Sequence, residues 1–208
     1  MKSAKPDAKL IERSEIGRRP RRERVIEELV VQARAGDHAA FERLAATSID
    51  RLYAVAVRVL RDPMAAEDAV QDCLIRAWRD LRAMRDPSRW DAWLYRLLLN
   101  ACRDEQRRSK RRPLTIAANG LDAVGDTDDV AGVDRRDELE RGFRRLSVEH
   151  RMALALHYYV GLRPAEIATT LGIAEGTATS RIHYASRALR AALEADTRSA
   201  TGATGSIQ

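Results

Sequence analysis

Two Asp-Pro steps, Asp62-Pro63 and Asp86-Pro87, divide the middle of this chain into segments that repeat apolar side chains every three or four residues. An Asp before a Pro offers a carboxylate to the free amides of a first helical turn, and Pro suits the first helical position. Between these stops the apolar period is that of a helix. Val25 to Arg34 reads as a first helix, stopped by Gly36-Asp37. His38 to Leu60 is the second, with Phe41, Leu44, Ala45, Leu52, Val55, Ala56 and Val59 on one face. The helix after Asp62 places Val70, Leu74, Ala77, Trp78 and Leu81 on a buried stripe. Ser88 and Asp91 have the spacing of a capping box. The helix from Arg89 to Arg108 is expected to bury Trp93, Leu94, Leu97, Leu98 and Ala101.

Composition supports helices throughout. Among the 208 residues are 34 Ala, 33 Arg and 21 Leu, against 2 Phe and 5 Tyr. Good helix formers dominate and strand-favouring aromatics are scarce, so the expected fold class is all-α. Residues 1–24 lack apolar period and read as a basic, disordered arm. Residues 25–112 form one helical domain and 139–195 a second. Between them, 113–138 read as a flexible acidic linker, and 196–208 as a disordered polar tail.

Several function classes drop out. No run of about 18 uncharged apolar residues exists, so no membrane insertion is expected. The charged N-terminus lacks the apolar core of a secretory signal. Cys73 and Cys102 form no CxxC pair, and the four histidines show no metal-binding spacing, so no metal or cofactor is expected. Nucleophile-elbow and phosphate-loop motifs are absent, so catalysis by this chain alone is not expected. The cytoplasm is the default compartment.

Charge is unevenly spread over a net +6. Residues 1–25 carry nine basic and four acidic groups, whereas 113–138 carry two basic and seven acidic. Arg103, Arg107, Arg108, Lys110, Arg111 and Arg112 crowd the end of the fourth helix. Basic blocks of this kind suit a phosphate backbone. With 33 Arg to 4 Lys, a genome-wide preference for arginine explains part of the same signal.

The segment from Pro164 has the spacing of a helix-turn-helix. Ile167, Ala168 and Leu171 make the inner face of a short helix, Gly172 turns the chain, and Ile173 plugs the turn. A second helix from near Glu175 faces Ala178, Ile182, Ala185 and Leu189 inward. That leaves Thr177, Thr179, Ser180, Arg181, Tyr184 and Arg187 outward, where a recognition helix meets a major groove.

At these residues the chain resembles a family. EIATTLGIAEGTATSRIHYASRALR is similar to the minus-35-binding region of sigma-70 family factors. AFERLAATSIDRLYAVAVRVLRDPMAAEDAVQDCLIRAWRDL, followed by RWDAWLYRLLLNACRDEQRR, resembles their core-binding and minus-10-binding region. Two regions in family order, with a short linker between, resemble the extracytoplasmic-function (ECF) group.

The resemblance implies binding to core RNA polymerase through Glu67, Asp68, Gln71, Asp72 and Arg76, on the helix that meets a coiled coil of the large subunits. It implies minus-10 recognition and melting by Arg85, Ser88, Arg89, Trp90, Arg96, Asn100, Arg103 and Arg107, with Trp90 stacking on an unpaired base. Trp93 and Leu94 are assigned to the core; Asn100 either bonds DNA or ties down its helix. Minus-35 contacts fall to Arg163, Thr177, Thr179, Ser180, Arg181, Tyr184 and Arg187. Core polymerase, promoter DNA and an anti-sigma factor are the expected partners.

Two features depart from the family pattern. GTVKSR is usual where this chain has GTATSR, so Thr179 stands where a phosphate-binding lysine is common. The acidic linker, with Asp122, Asp126, Asp128 and Asp129, is either a mimic of nucleic-acid charge or a soluble spacer. A helix-turn-helix regulator and a sigma mimic that sequesters an anti-sigma factor are the rival readings. The first leaves EDAVQD unused, and the intact basic residues speak against the second.

Overall fold

Helix starts in this chain are set by capping acceptors, and the computed structural model places them where Asp and Ser precede apolar runs. It describes residues 21–111, 142–143 and 145–203, with side chains to residue 191. Asp37 Oδ1 accepts from the Ala40 amide at 3.1 Å and starts α2 (His38–Leu60). Asp62 Oδ1 accepts from Ala65 at 3.1 Å and starts α3 (Pro63–Asp80), with Pro63 in the first turn. Ahead of them lies α1 (Arg21–Arg34). Residues 21–24, expected in the disordered arm, are therefore helical. Arg is a good helix former, and Glu23 in the first turn complements the helix dipole.

The expected Ser88–Asp91 capping box does not form. Asp86 Oδ1 instead accepts from the Ser88 amide at 3.0 Å and from its hydroxyl at 2.6 Å, closing a 3-10 turn over Pro87–Arg89. α4 (Trp90–Arg111) follows directly, one residue later than expected. Asp91, freed from capping, accepts from Arg51 Nη2 at 3.0 Å and ties α4 to α2.

The second half is α5 (Val148–Leu154), a π-helical turn (Ala155–Tyr159), α6 (Pro164–Leu171) and α7 (Glu175–Ala203). Gly172 sits at φ 67° and ψ 40°, the left-handed conformation the turn requires. α7 runs on to Ala203, through residues 196–203 expected in a disordered tail, because no glycine or proline falls between Gly176 in its first turn and Gly202. The linker expected at 113–138 and the arm to residue 20 lie outside the described residues, as do 204–208.

No strand occurs among the described residues, in keeping with the all-α expectation. One apolar cluster runs from Leu29 to Ile182 and takes in both halves. α2 packs on α5 and on the π-helical turn, and α4 packs on α6.

Candidate polymerase and promoter surfaces

Three surfaces carry the residues singled out by sequence. On α3, Ala66, Ala69, Val70, Cys73 and Ala77 are buried, which turns Glu67, Asp68 and Gln71 outward into solvent. Ile75 and Met64 share that exposed side, 62% and 69% exposed. They are apolar side chains that sequence reading passed over, though Ile75 stands four residues after Gln71 and so on its face.

Asp72 and Arg76 are placed differently from the free pair expected. Arg76 Nη2 donates to Asp72 Oδ2 at 2.6 Å and to Asp104 Oδ2 of α4 at 2.9 Å. The hydrogen bond to Asp104 and then that to Asp72 raise the pKa of Arg76. Arg76 is thus a tie between α3 and α4, and Asp72 is half-buried beside it.

The second surface surrounds the start of α4. Arg85, Ser88, Arg89, Arg96 and Arg107 are exposed. Trp90 is not: it is 1% exposed, within the core. The reason is register. Buried positions on α4 are Trp90, Leu94, Tyr95, Leu98, Leu99, Ala101, Cys102 and Glu105; Leu94, Leu98 and Ala101 are core as the sequence reading expects, and Trp90 precedes them on the same stripe. Trp93 falls on the flank of that stripe and is only half-buried, 5.6 Å from Trp90 between ring centroids. It lines a crevice with Arg85, Arg89 and Arg96. A run at 90, 94, 98 and 101 was readable in the sequence, and would have placed Trp90 inside.

Asn100 is half-buried and its Oδ1 accepts from Arg103 Nη1 at 2.9 Å, one helical turn further on. Arg103 is itself held by Glu149 of α5, through Nε at 3.1 Å and Nη2 at 3.2 Å. Arg107 lies 3.5 Å from Asp104 and stays largely exposed.

The third surface is the outer side of α7. Ala178, Ile182 and Ala185 are buried, so Thr177, Thr179, Ser180, Tyr184 and Arg187 face solvent. Thr179 Oγ1 donates to the Glu175 carbonyl and Ser180 Oγ to that of Thr177, both at 3.0 Å. Tyr184 stacks on His150 with ring centroids 4.7 Å apart. Burial, then the nearby Arg181 charge, pushes the pKa of His150 down. Arg163 is exposed at the start of α6 and paired with Glu166. Arg181 departs from the outward set: it is half-buried, donating from Nη1 to Glu149 Oε2 at 3.0 Å.

Glu149 therefore joins one arginine from α4 and one from α7, a residue that sequence reading passed over. The Arg103 hydrogen bonds, followed by the charges of Arg103 and Arg181, hold its carboxyl below the usual range. The partners lie 46 and 32 residues away, so no local spacing announces them.

The comparisons agree with this layout. A family model for sigma-70 region 2 matches residues 44–112, and one for sigma-70 region 4 matches residues 136–189. The ECF RNA polymerase sigma factor SigL of Mycobacterium tuberculosis is 38% identical over 146 residues, covering 69% of this chain and 82% of that protein. CnrH, solved in complex with the cytosolic domain of CnrY, has a TM-score of 0.63 at 28% identity, covering 83% of this chain and 99% of that one. The sigma factor RpoE of Bartonella quintana, solved with the anti-sigma factor NepR, has a TM-score of 0.59 at 26% identity, covering 75% and 98%. With α3, α4 and the α6–α7 helix-turn-helix in family order, the chain belongs to the ECF group of the sigma-70 family of RNA polymerase sigma factors.

Proposed function

We propose that the chain binds core RNA polymerase through the exposed side of α3, reads the minus-10 element with α4 and its preceding turn, and reads the minus-35 element with α7. Glu67, Asp68 and Gln71 supply the docking polarity, and Ile75 adds an apolar centre among them, the arrangement that gives an interface both specificity and affinity. The observation that carries the reading is this face: carboxylates, an amide and an exposed isoleucine on a helix whose other side is core.

At the minus-10 element, the guanidiniums of Arg85, Arg89 and Arg96 hold phosphates. Trp93, standing among them, takes the stacking role that the buried Trp90 does not fill. At the minus-35 element, Arg187 is an exposed guanidinium of the recognition helix, with Thr177, Thr179 and Ser180 as hydroxyl contacts. Sigma factors are initiation subunits, and this one contributes no catalytic step of its own and works with polymerase in the cytoplasm. Among the described residues no helix is long and apolar enough to cross a membrane. An anti-sigma factor is a further proposed partner, since RpoE was solved with one.

The test is reconstituted transcription with core polymerase on a pool of genomic promoter fragments, with permanganate footprinting of the opened thymines. Initiation from a subset of fragments sharing two elements supports the reading. A chain that binds a palindrome without polymerase and starts no transcript is a conventional regulator instead.

A further inference from the structure

Gly176 stands in the first turn of α7, two residues before the buried Ala178 and so about 200° round the helix from it. Ser180 and Arg187 fall on the same outward side, and all three are exposed. Together they form the ridge that the recognition helix turns away from the rest of the chain. The ridge is uneven. Arg187 carries a long side chain, Ser180 folds its hydroxyl back onto the Thr177 carbonyl at 3.0 Å, and Gly176 has no side chain at all.

The fold does not ask for glycine at this position. Gly36, Gly161 and Gly172 hold positive φ values of 103°, 85° and 67°, which side chains rarely allow. Gly176 is not among them. A Cβ built on it would meet no atom within 4 Å. Alanine would suit both the backbone and the space, and would favour the helix, since glycine loses more conformational freedom on folding. A residue that weakens its own helix, with no steric reason inside the chain, points to a neighbour outside it that needs the room.

The α6–α7 helix-turn-helix says which neighbour. A helix with its side chains measures about 10–12 Å across, and a major groove is about 12 Å wide. A recognition helix enters by its first residues. It therefore seats only as deep as the side chains of that turn permit.

We propose that Gly176 is the point of closest approach between α7 and the minus-35 element, its bare Cα letting the first turn seat against the base edges at a depth that any side chain would prevent. The proposal rests on the minus-35 reading above and adds to it a residue that sets depth. A Cβ at this position holds the helix off, and the contacts further along the ridge lengthen with it.

The experiment uses the chain bound to core polymerase, titrated by anisotropy onto a promoter fragment and onto one whose minus-35 element is scrambled. Gly176→Ala is expected to raise the melting temperature of the chain by about 1–3 °C, the gain from glycine to alanine where the backbone is compatible. On the intact promoter its affinity is expected to fall about five- to fiftyfold, the range for one spoiled base pair. On the scrambled fragment it should bind as wild type does. Gly176→Leu should lose more affinity than Gly176→Ala, at equal helix content by circular dichroism. Ala191→Leu controls for bulk: it is exposed on the same helix but roughly 22 Å further along the axis, and should bind as wild type. Stability that rises while affinity falls is a pairing that a purely structural glycine does not give.

A Gly176→Ala chain that binds the intact promoter as tightly as wild type overturns the proposal. A lower melting temperature also overturns it, by giving the glycine a reason inside the fold. So does an equal loss on the scrambled fragment or from Ala191→Leu. Wild type that binds both fragments equally sinks the minus-35 reading itself, a result read before any variant is made.

Discussion

Trp90 and Trp93 lie 5.6 Å apart on one helix and face opposite fates, the first sealed in the core and the second at the rim of an arginine-lined crevice. The Trp90 indole Nε1 is buried with no hydrogen-bond partner among the described residues. The ring stays inside on the strength of its apolar area, against a penalty of about 1–3 kcal/mol for the unmet donor.

Trp90→Ala is accordingly expected to cost about 3–5 kcal/mol of stability, the range for a buried aromatic cut to alanine. Urea unfolding followed by circular dichroism measures it. Trp93→Ala should keep most of the stability and lower the open-complex fraction on duplex templates, with a premelted bubble restoring activity. Equal unfolding midpoints for Trp90→Ala and wild type would put Trp90 back among the candidate stacking residues.

Charge reversal on α3 separates docking from stability. Asp68→Lys should weaken core binding by roughly tenfold or more, since like charges brought together cost several kcal/mol, and should leave the melting temperature unchanged. Asp72→Lys should lower both, because it also removes a partner of Arg76. A competition assay for core polymerase, run beside thermal melts, distinguishes them. Undiminished competition by Asp68→Lys excludes this face.

On the recognition helix, Thr179→Lys should restore the phosphate contact usual in the family. Promoter binding should tighten for all sequences, and the slope of log affinity on log salt should steepen by about one. Arg187→Ala should cost about 1–3 kcal/mol at particular bases if it reads an edge, and a smaller, uniform amount if it holds phosphate. Anisotropy titrations across salt and across mutated minus-35 sequences give both answers; silence from Arg187→Ala removes that contact.

Cys73 and Cys102 are both buried, and burial pushes each thiol up to about 12. A raised pKa keeps the unreactive protonated form dominant until the pH passes it, and lack of access slows attack further. At pH 8 a thiol reagent should therefore label neither residue in the folded chain and both in urea. Prompt native-state labelling would contradict the packing of α3 on α4.

The helices were legible because their signals are local. Asp37 and Asp62 cap within three residues, and Gly172 marks its own turn. The inner side of α4 was legible at Leu94, Leu98 and Ala101, but Trp90, which opens the helix directly after the 3-10 turn at Pro87–Arg89, lies one turn before Leu94 on the same stripe and was left off it. The polar side of α3 was readable from its period. The tie of Arg76 to Asp104 and that of Arg181 to Glu149 were not, because those partners are distant in sequence and a charged side chain has no period of its own.

Arg76 has a consequence for how this chain can change over generations. Its guanidinium is shared between Asp72 and Asp104, while Arg107 reaches the same Asp104 at 3.5 Å. Losing Arg76 would hand Asp104 to Arg107 and draw a positive charge off the basic end of α4. Losing Asp104 would release Arg107 and leave Arg76 with Asp72 alone, beside the side of α3 that carries its carboxylates. Neither position can drift alone without altering the electrostatics of both helices, so Asp72, Arg76, Asp104 and Arg107 form a linked inheritance, and viable lineages should exchange them as a set.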